Sequence, residues 1–142
     1  AVFVLLTFTV TARPSLAKDA WHTFSGKEAQ ASELGKEKLD ASIKLYMKGE
    51  KHGKATKRFG EFKSNKRTKS LGKSAQSACD RAFISALMGL QSRASKEGGN
   101  AVIDIYTITK DKKFESATEY SCAKGSIVTN VALSGTVVTI GK

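Results

Sequence analysis

"SACDRAFISALMGLQSRASKEGGNAVIDI", residues 77–105, carries the two signals that decide the fold. Cys79, Phe83, Ala86, Leu87, Leu90 and Ala94 recur at three- and four-residue spacing, which lays one apolar stripe along a helix. Arg81, Ser85, Ser92, Ser95 and Lys96 fill the rest of its circumference. Ser77, followed three residues later by Asp80, fits a capping box, so the helix is expected to start at Ser77. Gly98-Gly99 stops it, one of the two taking the left-handed conformation. "NAVIDIYTIT" (100–109) begins at once as a strand, so a tight turn joins helix to sheet. Cys79 thereby falls in the first helical turn, on the stripe that faces the sheet.

The segments around this pair extend the pattern. "KDKKFESA" (110–117) is a charged loop, and "TEYSCA" (118–123) is a weakly alternating strand that carries Cys122. "IVTNVALSGTVVTI" (127–140) is a long strand with a bend expected at Gly135. These last three strands are expected to form an antiparallel meander beneath the helix. Upstream, "DASIKLYM" (40–47) sets Ile43, Leu45 and Met47 against Lys44 and Tyr46. In "KRFGEFKSNKRT" (57–68) Phe59 and Phe62 are three apart, which calls for a bulge near Gly60. With the turn "KGEKHGK" between them, these two segments are expected to pair as a hairpin. Residues 18–38 are polar. Ser25 caps a short helix through Leu34 that Gly35 ends, while Trp21 and Phe24 pin the segment to the body. The expected fold class is α+β, one main helix on a small, mostly antiparallel sheet of four to five strands.

The opening run "AVFVLLTFTVTA" is about a dozen apolar residues, too short to span a hydrocarbon core of roughly 30 Å. Arg13-Pro14 breaks it, and "SLA" (15–17) supplies the small residues of a signal-peptidase site. Residues 1–17 therefore read as a truncated export signal cleaved after Ala17, with no initiator Met or basic region ahead of it. The competing reading is a buried first strand, which Val, Phe and Thr would also suit. The expected organisation is a signal at 1–17, a polar segment with a short helix at 18–38 and the α+β domain at 39–142. No later segment is apolar enough to cross a membrane, and no cysteine follows Ala17 to carry a lipid anchor.

A periplasmic or secreted chain with two cysteines is most simply read as having one disulfide, Cys79–Cys122. Closing a loop of just over forty residues is worth roughly 4 kcal/mol in the chain-entropy model. The alternative is a free Cys79 whose thiol the helix terminus would activate, although no CxxC is present.

The chain has 142 residues and a net charge of +11. Its surface attracts polyanions whatever their chemistry. Between residues 44 and 73 eleven cations face only Glu50 and Glu61. They are Lys44, Lys48, Lys51, Lys54, Lys57, Arg58, Lys63, Lys66, Arg67, Lys69 and Lys73, and they form the candidate polyanion-binding set. The same lysines would also serve a plain solvated sheet by discouraging edge pairing. Nucleic acid is the least favoured polyanion, because the aromatics available to stack on bases are Tyr46, Phe59 and Phe62, and the two Phe suit the core.

"ACDRAFISALMGLQSRASKEGGNAVIDI", "EYSCAKGSIV" and "VALSGTVV" resemble a family of small exported bacterial proteins labelled "excinuclease ATPase subunit-like", over roughly residues 38–140. More distantly, the order helix, "GNAV", strand, "GTVV" is similar to the heavy-metal-binding-domain family and to the Rcs envelope-stress sensor lipoprotein. The resemblance implies a small α+β sandwich. The Rcs sensor's helix-to-strand disulfide would map onto Cys79 and Cys122. The lipidated cysteine and second disulfide of that sensor have no counterpart, so outer-membrane anchoring and Rcs signalling do not carry over.

The ATPase label has no chemical basis in the residues. "LGKS" (71–74) imitates the end of a phosphate loop, yet Arg67 stands where its first glycine belongs and no apolar strand precedes it. His22 and His52 lack companions at ligand spacing, so no metal or cofactor is expected. Asp104, Glu115 and Glu119 are the carboxylates an enzyme would have to converge, and nothing in their spacing fixes a separation. The expectation is an exported, non-enzymatic module whose basic face binds an anionic envelope polymer, an extracellular polymer or lipid headgroups. The alternative is an envelope-stress or assembly protein that grips a protein partner through its sheet edge or the 110–117 loop.

Overall fold

The computed structural model describes residues 19–141, so the expected signal at 1–17 lies outside the described residues. In chain order the elements are β1 (Ala20–Ser25), α1 (Gly26–Ala31), α2 (Glu33–Lys38), β2 (Lys44–Met47), β3 (Ala55–Lys69), α3 (Ala75–Glu97), β4 (Ala101–Thr107), a 3-10 turn (Thr109–Asp111), β5 (Glu119–Lys124) and β6 (Val128–Ile140). The α+β class and the single main helix are as expected.

β6 is the spine of the sheet. β3 runs antiparallel along one of its edges from Ala55↔Ile140 to Lys69↔Val128. The other edge is shared, with β4 beside its C-terminal half and β5 meeting only Asn130 and Thr129. β2 adds to β4 in parallel, and β1 adds to β5 antiparallel. The gap between β4 and β5 is closed by Ile108 and the 3-10 turn. Ile108 N donates to Ala132 O, and Ala132 N donates to the Thr109 hydroxyl at 3.0 Å, so a threonine completes the backbone ladder.

The sheet thus has six strands and is mixed, against an expectation of four to five and mostly antiparallel. Residues 20–25 are a strand, because the partner they need, β5, lies a hundred residues along the chain. Segments 44–47 and 55–69 do not form a hairpin, and the last three strands do not form a meander. Alternation tells which side chains of β2 want burial; it does not say beside which strand, and beside β4 both Ile43 and Met47 reach the core.

α3 begins at Ala75, one turn-fragment earlier than expected. Ser74 is the N-cap, its hydroxyl accepting from Ser77 N at 3.1 Å. Ser77 is therefore inside the helix, Cys79 is in its second turn, and Asp80 is released from capping to accept a hydrogen bond from the Tyr120 hydroxyl. Gly98, at φ +84°, ends the helix in the left-handed conformation. Phe83, Leu87 and Leu90 pack with Val102, Ile105, Tyr120, Val131, Leu133 and Val137 in the main core. Phe83 and Tyr120 stack with ring centroids 4.0 Å apart. Cys79 and Cys122 are bonded, with Cα atoms 5.9 Å apart, and the bridge is fully buried between helix and sheet.

Two glycines let helix and sheet approach. A Cβ on Gly89 would come within 2.3 Å of the Ser64 hydroxyl on β3. A Cβ on Gly135 would come within 2.6 Å of Val102, so Gly135 makes room for packing inside a continuous strand instead of bending it. The expected bulge at Gly60 is present, with a register shift between Arg58 and Gly60. A second bulge was not anticipated. Asp104 takes φ +52°, a conformation Asp tolerates better than most residues, and the register shifts there. As a result Val102 and Ile105 share the helix side and Ile103 joins a small cluster on the other, whereas a regular strand would turn Ile103 and Ile105 the same way. At the N-terminal end Ser25 does cap a helix, accepting from Glu28 N, but Ser32 interrupts it and caps α2, so Gly35 lies within a second helix.

Candidate anion-binding face

The pleat of β3 sorts its cations. Phe62 lies opposite Gly135 and Ser64 opposite Leu133, which fixes these rungs on the helix side. Lys57 and Lys66 share that side, Lys57 Nζ standing 4.9 Å over the Phe59 ring. Arg58, Lys63, Arg67 and Lys69, opposite Val138, Ser134, Asn130 and Val128, belong to the side that no helix covers.

On this open side a groove of about 540 Å³ runs between β3 and the 3-10 turn. Lys63 and Arg67 stand on one bank, Ile108, Lys110 and Asp111 on the other, and Ala123, Asn130 and Ala132 form the floor. Lys110 and Asp111 both hold left-handed backbone, at φ +51° and +61°, a costly arrangement for non-glycine residues. Lys110 pairs with Asp19 across the groove. Asn130 donates to Lys66 O at 2.9 Å and to the Asn65 side chain, which ties the floor to β3.

Beside the groove, Glu61 accepts hydrogen bonds from Ser134 and from the Tyr106 hydroxyl, at 2.7 Å for the latter. Those two bonds hold its carboxyl below the usual range, with Lys63 and Lys113 adding to the effect. Lys48 and Lys113 both flank the Tyr106 ring, 5.5 and 5.1 Å from its centroid, and both bind Glu115. Hydrogen bonds from the same two lysines, Lys113 first, hold Glu115 below its ordinary value, and Glu115 in turn raises Lys113.

The eleven cations singled out in the sequence do not form one patch. Lys57, Arg58, Lys63, Lys66, Arg67 and Lys69 belong to β3 at one edge of the sheet, with Lys73 in the turn beyond. Lys44 and Lys48 belong to β2 and its exit at the opposite edge, and Lys51 and Lys54 lie on the loop between. Of the eleven, Lys48 alone makes an ion pair among the described residues. Sequence reasoning missed Lys110, Lys113 and Tyr106, which the crossovers bring alongside β3 and β6, and Asn130 of β6, which faces Arg67. No local pattern marks them.

The remaining candidates are dispersed. Glu115 is held by its two lysines, Glu119 lies across from Ser25 on the β1–β5 ladder, and Asp104 sits in the β4 bulge. His22 stacks on Phe24, and His52 contacts the Gly53 carbonyl. "LGKS" is a turn in which Gly72 takes φ +76° and Ser74 caps α3. Among the described residues no group of three or more His, Cys, Asp or Glu side chains is placed to hold a metal ion, and no helix is long and apolar enough to cross a membrane. No family model, no curated protein and no solved structure matches the chain.

Proposed function

We propose that this chain is an exported, non-enzymatic binding module that holds an anionic envelope or extracellular polymer along the open side of β3. The observation that carries the reading is the run of Arg58, Lys63, Arg67 and Lys69, exposed on the side of β3 away from α3, none of them in an ion pair among the described residues. Cations without protein partners keep their charge available to a ligand, and a groove beside them gives a chain somewhere to lie. The buried Cys79–Cys122 bridge is compatible with an oxidising compartment, and the resemblance to small exported proteins points the same way.

Retention on immobilised heparin, polyphosphate and lipopolysaccharide, measured against salt, tests it. Binding should fall steeply with salt, and Arg58→Gln, Lys63→Gln and Arg67→Gln should together flatten the log–log slope by roughly 0.7–0.9 per cation removed. No retention at low ionic strength, or a triple variant that binds as tightly as the parent, overturns the reading. One observation favours a second reading, an assembly partner. β3 is 15 residues long and no strand lies on its outer edge among the described residues. A complex recovered at high salt would decide for that edge.

A further inference from the structure

At the end of the molecule where β3 stops and β6 starts, two turns lie side by side. Ser70 N donates to Ile127 O at 2.8 Å, and Lys69 lies opposite Val128. Three apolar side chains project there: Leu71 is 79% exposed, Ile127 69% and Val128 43%. They are among the most exposed large hydrophobics of the described residues, and they come together from two separate parts of the chain. Beside Leu71, a Cβ built on Gly72 would meet nothing within 4 Å, so the turn stands out from the body.

The surroundings of this tip are cationic. Residues 66–75, "KRTKSLGKSA", and 123–128, "AKGSIV", contain Lys66, Arg67, Lys69, Lys73 and Lys124 and no acid. None of those five cations is in an ion pair among the described residues. The nearby carboxylate, Asp19 beside Gly125, is already held by Lys110.

We infer that this tip docks on an anionic lipid bilayer, Leu71 and Ile127 entering the boundary between headgroups and acyl chains while Lys69, Lys73 and Lys124 rest among the headgroups. Projecting apolar side chains ringed by cations complement a surface that is anionic outside and apolar a few ångströms within. A protein pocket for these residues would have to bear the same negative collar, and although Val128 lines the end of the groove beside β3, Leu71 and Ile127 lie outside it and project singly. The inference goes beyond the polymer reading, because Leu71 and Ile127, the residues that would enter the bilayer, do not line the groove in which a polymer would lie.

The test uses the full chain, so residues 1–17 are common to every version compared. With Trp21→Phe and Leu71→Trp, the sole tryptophan reports from the tip. Phosphatidylcholine vesicles containing phosphatidylglycerol should shift its emission to the blue, and bromine on the acyl chains should quench it. Leu71→Ser with Ile127→Ser should lower vesicle partitioning by about tenfold or more. Lys69→Gln, Lys73→Gln and Lys124→Gln should remove the preference for anionic over neutral vesicles, at up to about fivefold per lysine. The serine pair should leave retention on soluble polyanions unchanged, which separates this inference from the polymer reading. Vesicle binding with an unshifted, unquenched tip tryptophan overturns it, and so does undiminished partitioning of the serine pair. Loss of a co-purifying protein from the serine pair, with no response to vesicles, reassigns the tip to a protein partner and likewise overturns it.

Discussion

On the helix side of β6, Val131, Leu133 and Val137 are buried with Leu87 and Leu90; one residue over on the same strand, Ala132, Ser134 and Thr136 sit opposite Asn65, Lys63 and Glu61. The two sides share a backbone and differ in what covers them. On the first side the side chains are apolar, and the disulfide and the Phe83–Tyr120 stack lie there as well. The second carries unpaired cations, a groove and left-handed backbone at Lys110 and Asp111. The larger core lies on one side; the other keeps only the small Ala101–Ile103–Val138 cluster, and its exposed charges away from that cluster can vary at little cost to the fold.

The largest expected effect comes from the covered side. Replacing Cys79 and Cys122 together with alanine should cost about 4 kcal/mol in urea unfolding, the chain-entropy value for a loop spanning 43 residues. Under conditions where the variant is still folded, its retention on polyanions should match the parent. Equal loss of both properties would show that the two sides are coupled.

Next in size is the contact between α3 and β3. Gly89→Ala improves helix propensity by about 1 kcal/mol. Even so, it should destabilise by about 1–3 kcal/mol, because its Cβ meets the Ser64 hydroxyl. Ser64→Ala removes a buried hydroxyl that has no hydrogen-bond partner and should be neutral or mildly stabilising. Combined with Gly89→Ala it should recover part of the loss, and a double-mutant cycle measures how much. Additive effects would place the clash elsewhere.

The smallest effect distinguishes the sides by the sign of their response to pH. On the open side hydrogen bonds lower Glu61 below 4.5, so its contribution is present above that value and is lost as pH falls through the lowered pKa. On the covered side burial raises Asp80 above 3.8, with Glu28 adding to it and the Tyr120 hydrogen bond opposing. Asp80 therefore favours the folded state below its unfolded pKa, and that benefit is lost as pH rises through the raised value. Stability curves across the carboxylate range should show Glu61→Gln flattening the acid-side loss and Asp80→Asn steepening it. Shifts in the same direction would refute the contrast.

What the sequence conveyed follows the same division. The α3 stripe was legible because burial imposes periodicity on neighbouring residues, and the Cys79–Cys122 pair because the chain has two cysteines. The partner of β2, the strand at 20–25 and the bulge at Asp104 were not, since each is decided by segments far away in sequence. The basic set was visible as composition, but its division between the two edges of the sheet depends on the order of the strands. Lys110, Lys113 and Tyr106 reach the open face only through the crossovers, and no spacing rule could have found them.

That β6 bonds to β3, β4 and β5 has a consequence for how the molecule comes into being. β6 lies C-terminal to every other strand among the described residues, and three of the sheet's five pairings need it. During synthesis the sheet therefore cannot assemble until residues 128–140 have emerged. A chain stopped just short of them would hold the β1–β5 and β2–β4 pairs with no strand to join them, and β3, the longest strand, would be left without a partner.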